Sequence, residues 1–329
     1  MRPLVDRFGR VHRDLRLSLT DKCSLRCRYC MPAEGLPWTP TESLLTAPEI
    51  ERVVRVAVGR GIRSVRLTGG EPLLRADVVE VVDRIASLPQ APEISMTTNG
   101  IRLEALAVNL KSAGLQRVNV SLDSLDRDTF ASLTLRDRHD DVVRGIEAAK
   151  SAGLTPIKVN AVLIRGINDH EAPAMLRWAL DIGVRLRFIE QMPLDPQHSW
   201  DRSMMVTRED VLTALAQAGF TLSPAVGRGS APAEEFEVNG GPGRVGIVGA
   251  VTRPFCGDCD RVRLSADGQF RSCLFAVGER DLRTPLRAGA SDTELSELMT
   301  AEVRDKFAGH QIGESQFQQP TRPMSAIGG

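Results

Sequence analysis

The stretch DKCSLRCRYC, residues 21–30, sets Cys23, Cys27 and Cys30 at C-x3-C-x2-C spacing. A second trio lies far along the chain in FCGDCDRVRLSADGQFRSC, where Cys256, Cys259 and Cys273 stand at C-x2-C-x13-C. These six are all the cysteines of the 329-residue chain. Structural metal sites usually take four protein ligands. Two separate sets of three therefore raise the question of what fills each fourth position.

Working outward from the first trio, DLRLSL (14–19) alternates at period two, as a strand does. TAPEIERVVRVAVGRG (46–61) predicts a helix: Thr46 and Glu49 have capping-box spacing, Pro48 falls in the first turn, and Gly59 and Gly61 follow its end. SVRLT is the next strand, broken by GGEP (69–72), and DVVEVVDRIAS is a helix. EISMTT, RVNVSL, PIKVNAVLI and VRLRFIE continue the strands, with RLEALAVNLKSAG, DDVVRGIEAAKSAG and HEAPAMLRWALDIG as helices between them. Repeated strand–helix units of this kind build a parallel sheet, either curled or open, with ligands at the carboxyl ends of its strands. The first cysteine trio, GGEP, TTNG and Ser121-Leu122-Asp123 follow successive strands at that end.

TREDVLTALAQAGF (207–220) predicts a further helix. Residues 223–243 are rich in Gly, Pro, Ala and Ser, which marks a linker or domain edge between a core of 5–222 and a C-terminal region of 244–329. Beyond it, RVRLSADGQFRSCLF reads as a hairpin turning at Asp267-Gly268. Helical stretches follow near Arg280–Ala288 and Asp292–Phe307, and the terminal QFQQPTRPMSAIGG has no period and the look of a frayed tail.

Lys+Arg and Asp+Glu are both 42, so the net charge is zero. That argues against a surface that coats nucleic acid or a membrane, and any anionic ligand needs a local cluster of cations. No apolar run approaches the roughly twenty residues of a membrane span, and the charged first thirty residues lack a signal-peptide stretch. A cytoplasmic protein is expected, whose clustered thiols read as metal ligands before disulfides.

Zinc completed by a distant His or Asp is one reading of the first trio, and a cubane iron–sulfur cluster with one open iron is the other. A zinc knuckle likewise remains open for the second trio. GGEP alone is a turn motif. Arg261 and Arg263 share one strand face, where two guanidiniums beside a metal suit phosphate oxygens; they are equally two surface arginines.

The motif formed by Cys23, Cys27, Tyr29 and Cys30, with GGEP at 69–72, resembles the signature of radical S-adenosylmethionine enzymes. RDLRLSLTDKCSLRCRYCMP, VRLTGGEPLLR, TTNG, NVSLDSLD, KVNAV, RGINDH, RFIEQM, FCGDCDRVRLSADGQFRSCLF and the terminal IGG are more specifically similar, in this order, to the GTP 3′,8-cyclase (molybdenum cofactor biosynthesis protein A) family. The resemblance spans about Phe8 to the last residue. It implies a partial (β/α)6 TIM-like barrel with a C-terminal α+β region closing the open side. It implies two [4Fe-4S] clusters, the first on Cys23, Cys27 and Cys30 and the second on Cys256, Cys259 and Cys273, with S-adenosylmethionine and GTP completing them in turn.

By the same resemblance Tyr29, Gly70, Ser121 and Met192 contact S-adenosylmethionine. Arg16, Arg66, Thr97, Lys158 and the segment Arg261, Val262, Arg263 contact GTP, and Arg187 is a further cation. Arg261, Arg263, Gly328 and Gly329 are implied to serve catalysis, the two glycines by reaching into the pocket. Some relatives carry lysine where Ser64 stands, which implies a different sharing of the phosphate charge. The implied product is (8S)-3′,8-cyclo-7,8-dihydroguanosine 5′-triphosphate, an intermediate of molybdenum cofactor biosynthesis. An electron donor and the next enzyme, cyclic pyranopterin monophosphate synthase, are implied partners, and a homodimer is compatible. The rival readings are another radical enzyme with an auxiliary cluster, such as a peptide-maturing one, and a non-catalytic iron–sulfur or zinc module.

Overall fold

The computed structural model describes residues 2–328. Six parallel strands run in chain order: β1 (Asp14–Ser18), β2 (Ser64–Thr68), β3 (Glu93–Thr98), β4 (Arg117–Ser121), β5 (Lys158–Val162) and β6 (Arg185–Ile189). The helices between and after them are α1 (Ala47–Gly59), α2 (Val78–Ala86), α3 (Leu103–Ser112), α4 (Arg127–Thr134), α5 (His139–Ser151), α6 (Ala172–Ile182) and α7 (Arg208–Gln217). The capping box predicted at the start of α1 is formed, with the Thr46 hydroxyl accepting from the Glu49 amide and the Glu49 carboxylate accepting from the Thr46 amide. The short helix α4 lay outside the sequence-based expectations.

The remaining strands are β7 (Leu222–Pro224), β8 (Glu234–Val238), β9 (Arg244–Val248), β10 (Arg261–Leu264), β11 (Gln269–Arg271) and β12 (Arg280–Asp281). All belong to one sheet of order β12-β11-β10-β1-β2-β3-β4-β5-β6-β9-β8-β7. β10 pairs parallel with β1 and β9 parallel with β6, so the C-terminal region lengthens the half-barrel at both edges. Residues 223–243, expected as a linker or domain edge, contain β8 and most of β7 and form one edge of this sheet. The hairpin expected at Asp267-Gly268 is β10–β11, and Gly268 turns it at a φ of 82°. Helices α8 (Arg283–Arg287), α9 (Asp292–Arg304) and α10 (Met324–Ile327) complete the chain.

Period two divides each barrel strand between two environments. Leu15, Leu17, Val65, Leu67, Ile94, Met96, Val118, Val120, Val159 and Phe188 are buried in the apolar core with the helices. Burying each of the larger ones contributes about 1.5–3 kcal/mol. The alternate residues face the other way and are polar or charged: Arg16, Ser18, Arg66, Ser95, Thr97, Asn119, Ser121, Lys158, Asn160 and Arg187. A helix-covered outer face thus fixes a polar interior.

Candidate active site

Strand register brings the interior cations together. Arg16 is level with Arg66 on one side and Arg263 on the other, Asn119 with Lys158, and Asn160 with Arg187. Arg16, Arg187, Arg261 and Arg263 are all buried. Arg16 pairs with Asp14 at 3.2 Å, and Arg187 reaches Glu235 at 3.3 Å. Burial, then Arg16, pushes the Arg66 guanidinium well below its usual range, with Asp14 opposing. Burial, then Arg187, Arg117 and Arg66, brings the Lys158 ammonium down to about 7. Among the described residues, Arg66 Nε, Asn119 Oδ1, Asn160 Oδ1 and Ser18 Oγ are buried without a hydrogen-bond partner. Buried polar atoms are normally paired, and crowded cations need counter-charge. The interior therefore suits a polar, strongly anionic ligand. A cavity of about 540 Å³ opens beside it, lined by Lys158, Arg187, Arg208, Arg228, Glu235 and Arg244 among others.

At the carboxyl end of β1 the first trio lies on a loop held by its neighbours. Gly70 donates to the Thr20 carbonyl at 2.8 Å and Glu71 to that of Lys22 at 2.7 Å. A Cβ on Gly69 would meet Thr20 O at 2.2 Å, and one on Gly70 would meet Asp21 O and Lys22 O at 2.4 Å. The close approach these glycines permit is thus to the backbone leading into Cys23. The Glu71 carboxylate accepts from Thr98 Oγ1 (2.7 Å), the Asn99 amide (2.6 Å) and the Leu73 amide (3.0 Å), which ties GGEP to TTNG. Burial raises it to about 7 against those bonds.

Tyr29 donates to Asp123 Oδ2 at 2.6 Å, and the Val162 amide donates to Asp123 Oδ1 at 2.9 Å. Burial raises Asp123 to about 6. The Cys27 thiol is pushed well up by burial, then by Asp123, Cys30 and Cys23. Burial, Cys23 and Asp123 push Cys30 up to about 12. Ser121 and Thr97 sit on the interior face at the ends of β4 and β3.

The second trio gathers at the start of β10. Burial raises the Cys259 thiol, but Arg261 and Lys306 overbalance it and bring it down to about 7. A cavity of about 80 Å³ is lined by the three cysteines with Met192, Arg261, Arg263 and His310, among others. Met192 is therefore beside the second trio. Within Arg261-Val262-Arg263 only the arginines share the interior face; the Val262 side chain is taken up by the apolar core, because alternate strand residues face opposite ways.

The terminal stretch is not frayed. Ile327 is fully buried, and Arg263 Nη1 donates to the Gly328 carbonyl. Gly328 has a φ of 69°, and a Cβ there would meet Thr68 Cγ2 at 2.4 Å and Ser18 Oγ at 2.7 Å. Gly328 thus lies between β1 and β2, on the sheet's polar face. Gly329 lies outside the described residues.

Sequence reasoning missed Asp123 and Glu71 as organisers, the interior amides Asn119 and Asn160, and Lys306. The amides were within reach of the period-two pattern, two residues from Arg117 and Lys158. Nothing local marks Lys306.

Both trios are free thiols. Cys27 lies close enough to Cys23 and Cys30, and Cys256 to Cys259 and Cys273, for their charges to interact. Among the described residues no three His, Cys, Asp or Glu side chains close around the position of a single metal ion. A cubane cluster instead takes one thiolate at each of several irons, and grouped soft ligands fit it.

The Radical SAM superfamily matches residues 17–179, and the Molybdenum Cofactor Synthesis C family matches 184–312. Streptococcus suis SuiB bound to S-adenosylmethionine superposes with a TM-score of 0.56 at 16% identity, over 88% of this chain and 68% of that one, a likeness of fold alone. The cysteine loop, the GGEP turn and the curled parallel sheet make this a radical S-adenosylmethionine enzyme with iron–sulfur clusters. GTP 3′,8-cyclase of Streptomyces coelicolor is 56% identical over 328 residues, covering 99% of this chain and 96% of the relative. That of Mycolicibacterium smegmatis is 53% identical over 335 residues, covering 99% and 92%. The chain belongs to the GTP 3′,8-cyclase family.

Proposed function

We propose that this enzyme converts GTP into (8S)-3′,8-cyclo-7,8-dihydroguanosine 5′-triphosphate in molybdenum cofactor biosynthesis, with the residues named below. The observation that carries the site reading is the set of buried and half-buried cations, level with one another across the sheet, between two cysteine trios. A triphosphate brings about four negative charges, and several desolvated cations suit it. Arg16, Arg66, Lys158 and Arg187 hold that group, Thr97 adds a polar contact, and Arg261 and Arg263 hold the nucleotide beside the second trio. Cys23, Cys27 and Cys30 bind one four-iron cluster and Cys256, Cys259 and Cys273 the other, each leaving an open iron: the first for S-adenosylmethionine, the second for guanine. Tyr29, Gly70, Ser121 and Met192 position S-adenosylmethionine. When bound, the first cluster and S-adenosylmethionine supply the 5′-deoxyadenosyl radical that starts the reaction at C3′ of GTP.

The residues of the chain position and shield. Arg263 and Gly328 narrow the pocket where the ribose and base must meet, and the helix-covered sheet excludes water from it. An external reductant supplies electrons, and the product passes to cyclic pyranopterin monophosphate synthase. Among the described residues no helix is long and apolar enough to cross a membrane, and we place the reaction in the cytoplasm, where thiols stay reduced. A homodimer is compatible with this reading. Anaerobic reconstitution tests it. Iron and sulfide should match two four-iron clusters, and incubation with GTP, S-adenosylmethionine and a reductant should yield the cyclised nucleotide with 5′-deoxyadenosine. Iron for a single cluster, or 5′-deoxyadenosine without the nucleotide product, would overturn it.

A further inference from the structure

Lys306 follows α9 and is 2% exposed. Its ammonium donates to the Arg261 carbonyl at 2.7 Å and to Cys259 Sγ at 3.6 Å. A buried ammonium is costly unless it is paired and hydrogen-bonded. Among the described residues its partners include no carboxylate, and Arg10 and Arg261 add positive charge nearby. The negative groups bearing on it are Cys259 and Cys273. Its counter-charge is thus the second cysteine trio, whose thiolates face a cation that the fold has already desolvated.

We propose that Lys306 is the resident counter-ion of the second cluster and sets its reduction potential, while its bond to the Arg261 carbonyl fixes the start of β10 against that cluster. This rests on the assignment of iron to Cys256, Cys259 and Cys273, which iron and sulfide counts on the wild-type protein test separately. A four-iron cluster on three thiolates is negative overall and gains one further negative charge on reduction. A fixed ammonium bonded to one of its sulfurs favours the reduced form, because net charge and hydrogen bonds to sulfur set cluster potentials. Lys306 contacts no reacting atom of the nucleotide in this arrangement, so it is a positioning residue.

The test is a redox titration followed by electron paramagnetic resonance in a Cys27→Ser background, where only the second cluster's signal remains. Lys306→Gln keeps an N–H donor and loses the charge, Lys306→Met loses both, and Lys306→Arg keeps the charge. At a fixed potential the reduced-to-oxidised ratio should fall at least about tenfold in Lys306→Gln, which is about 59 mV for a one-electron couple. It should fall further in Lys306→Met and return close to wild type in Lys306→Arg. If Lys306→Gln fails to hold iron while Lys306→Arg holds it, the charge is needed even for binding, and the proposal stands. Wild-type potentials in both Gln and Met variants would overturn it. So would loss of iron from the Arg variant, because there the charge is kept.

Discussion

Around Cys23, Cys27 and Cys30 the charged side chains that weigh on the thiols include the acids Asp123 and Glu71, with Arg26 opposing at Cys23; around Cys256, Cys259 and Cys273 they include the bases Arg261 and Lys306. Cys27 and Cys30 are pushed up, and Cys259 is brought down to about 7. Burial is the first cause of the rise at Cys27 and Cys30, with Asp123 adding to it, and burial raises Cys256 as well; at Cys259 Arg261 and Lys306 overbalance it, so the nearby charges differ in sign between the trios. A negative setting disfavours an added electron and suits a strongly reducing cluster; a positive one suits holding a polyanion and a more readily reduced cluster. On the proposed function the trios divide the work: one would serve the radical source and the other the substrate.

The largest effect should come from breaking the acidic side. Cys27→Ser is expected to abolish 5′-deoxyadenosine formation while the fold and the second cluster persist, since the loop lies outside the sheet. Chromatography after anaerobic incubation with reductant reads this directly, and wild-type levels would sink the assignment. Next is the tail. Gly328→Ala puts a Cβ 2.4 Å from Thr68 Cγ2 and 2.7 Å from Ser18 Oγ, at a φ of 69°. The displaced tail should cut cyclisation on the order of a hundredfold, the cost of a small misplacement at a reacting centre. The melting curve and iron content should stay near wild type; normal turnover would mean that the tail only packs.

On the basic side Arg263→Ala should weaken GTP binding at least about tenfold, because a charge-assisted contact contributes roughly 1.5–3 kcal/mol. S-adenosylmethionine binding should be spared, and calorimetry with each ligand separates the two. Equal losses for both ligands would erase the division.

The smallest effect is a pH dependence. Lys158 is brought from 10.5 to about 7 in the fold. The unfolded chain therefore binds more protons between those values, so its contribution to stability rises with pH across that window and is lost as pH falls through 7. Lys158→Met should lack this rise in denaturant titrations. A bound triphosphate favours the ammonium, so GTP affinity should fall several-fold from pH 7 to 9, with proton uptake seen by calorimetry in buffers of different ionisation enthalpy. A flat profile would place Lys158 away from the phosphates.

The half-barrel was legible because its strands keep period two, from DLRLS to RLRFI, and α1 carries its own cap. Arg16, Arg66 and Lys158 could be grouped on the same pattern. The edge strands were less legible: β8 reads EEFEV, and its glutamates sit in a Gly- and Pro-rich context, so pairing with β9 overrides weak local preference. The GGEP glycines pack against Thr20–Lys22, a contact between strand ends that only topology creates and that no local pattern announces. Lys306 and Asp123 act across long sequence separations, through Cys259 and Tyr29, and no local period marks such pairs. The tail's burial was suggested by resemblance alone, since its composition is that of a loose end.

The division between the trios is tested most directly by measuring 5′-deoxyadenosine and the cyclised nucleotide together in Cys273→Ser, with GTP and S-adenosylmethionine supplied. The account predicts that 5′-deoxyadenosine still forms while the cyclised product is lost. Cyclisation at the wild-type rate, or loss of 5′-deoxyadenosine with the first cluster's iron intact, would contradict it.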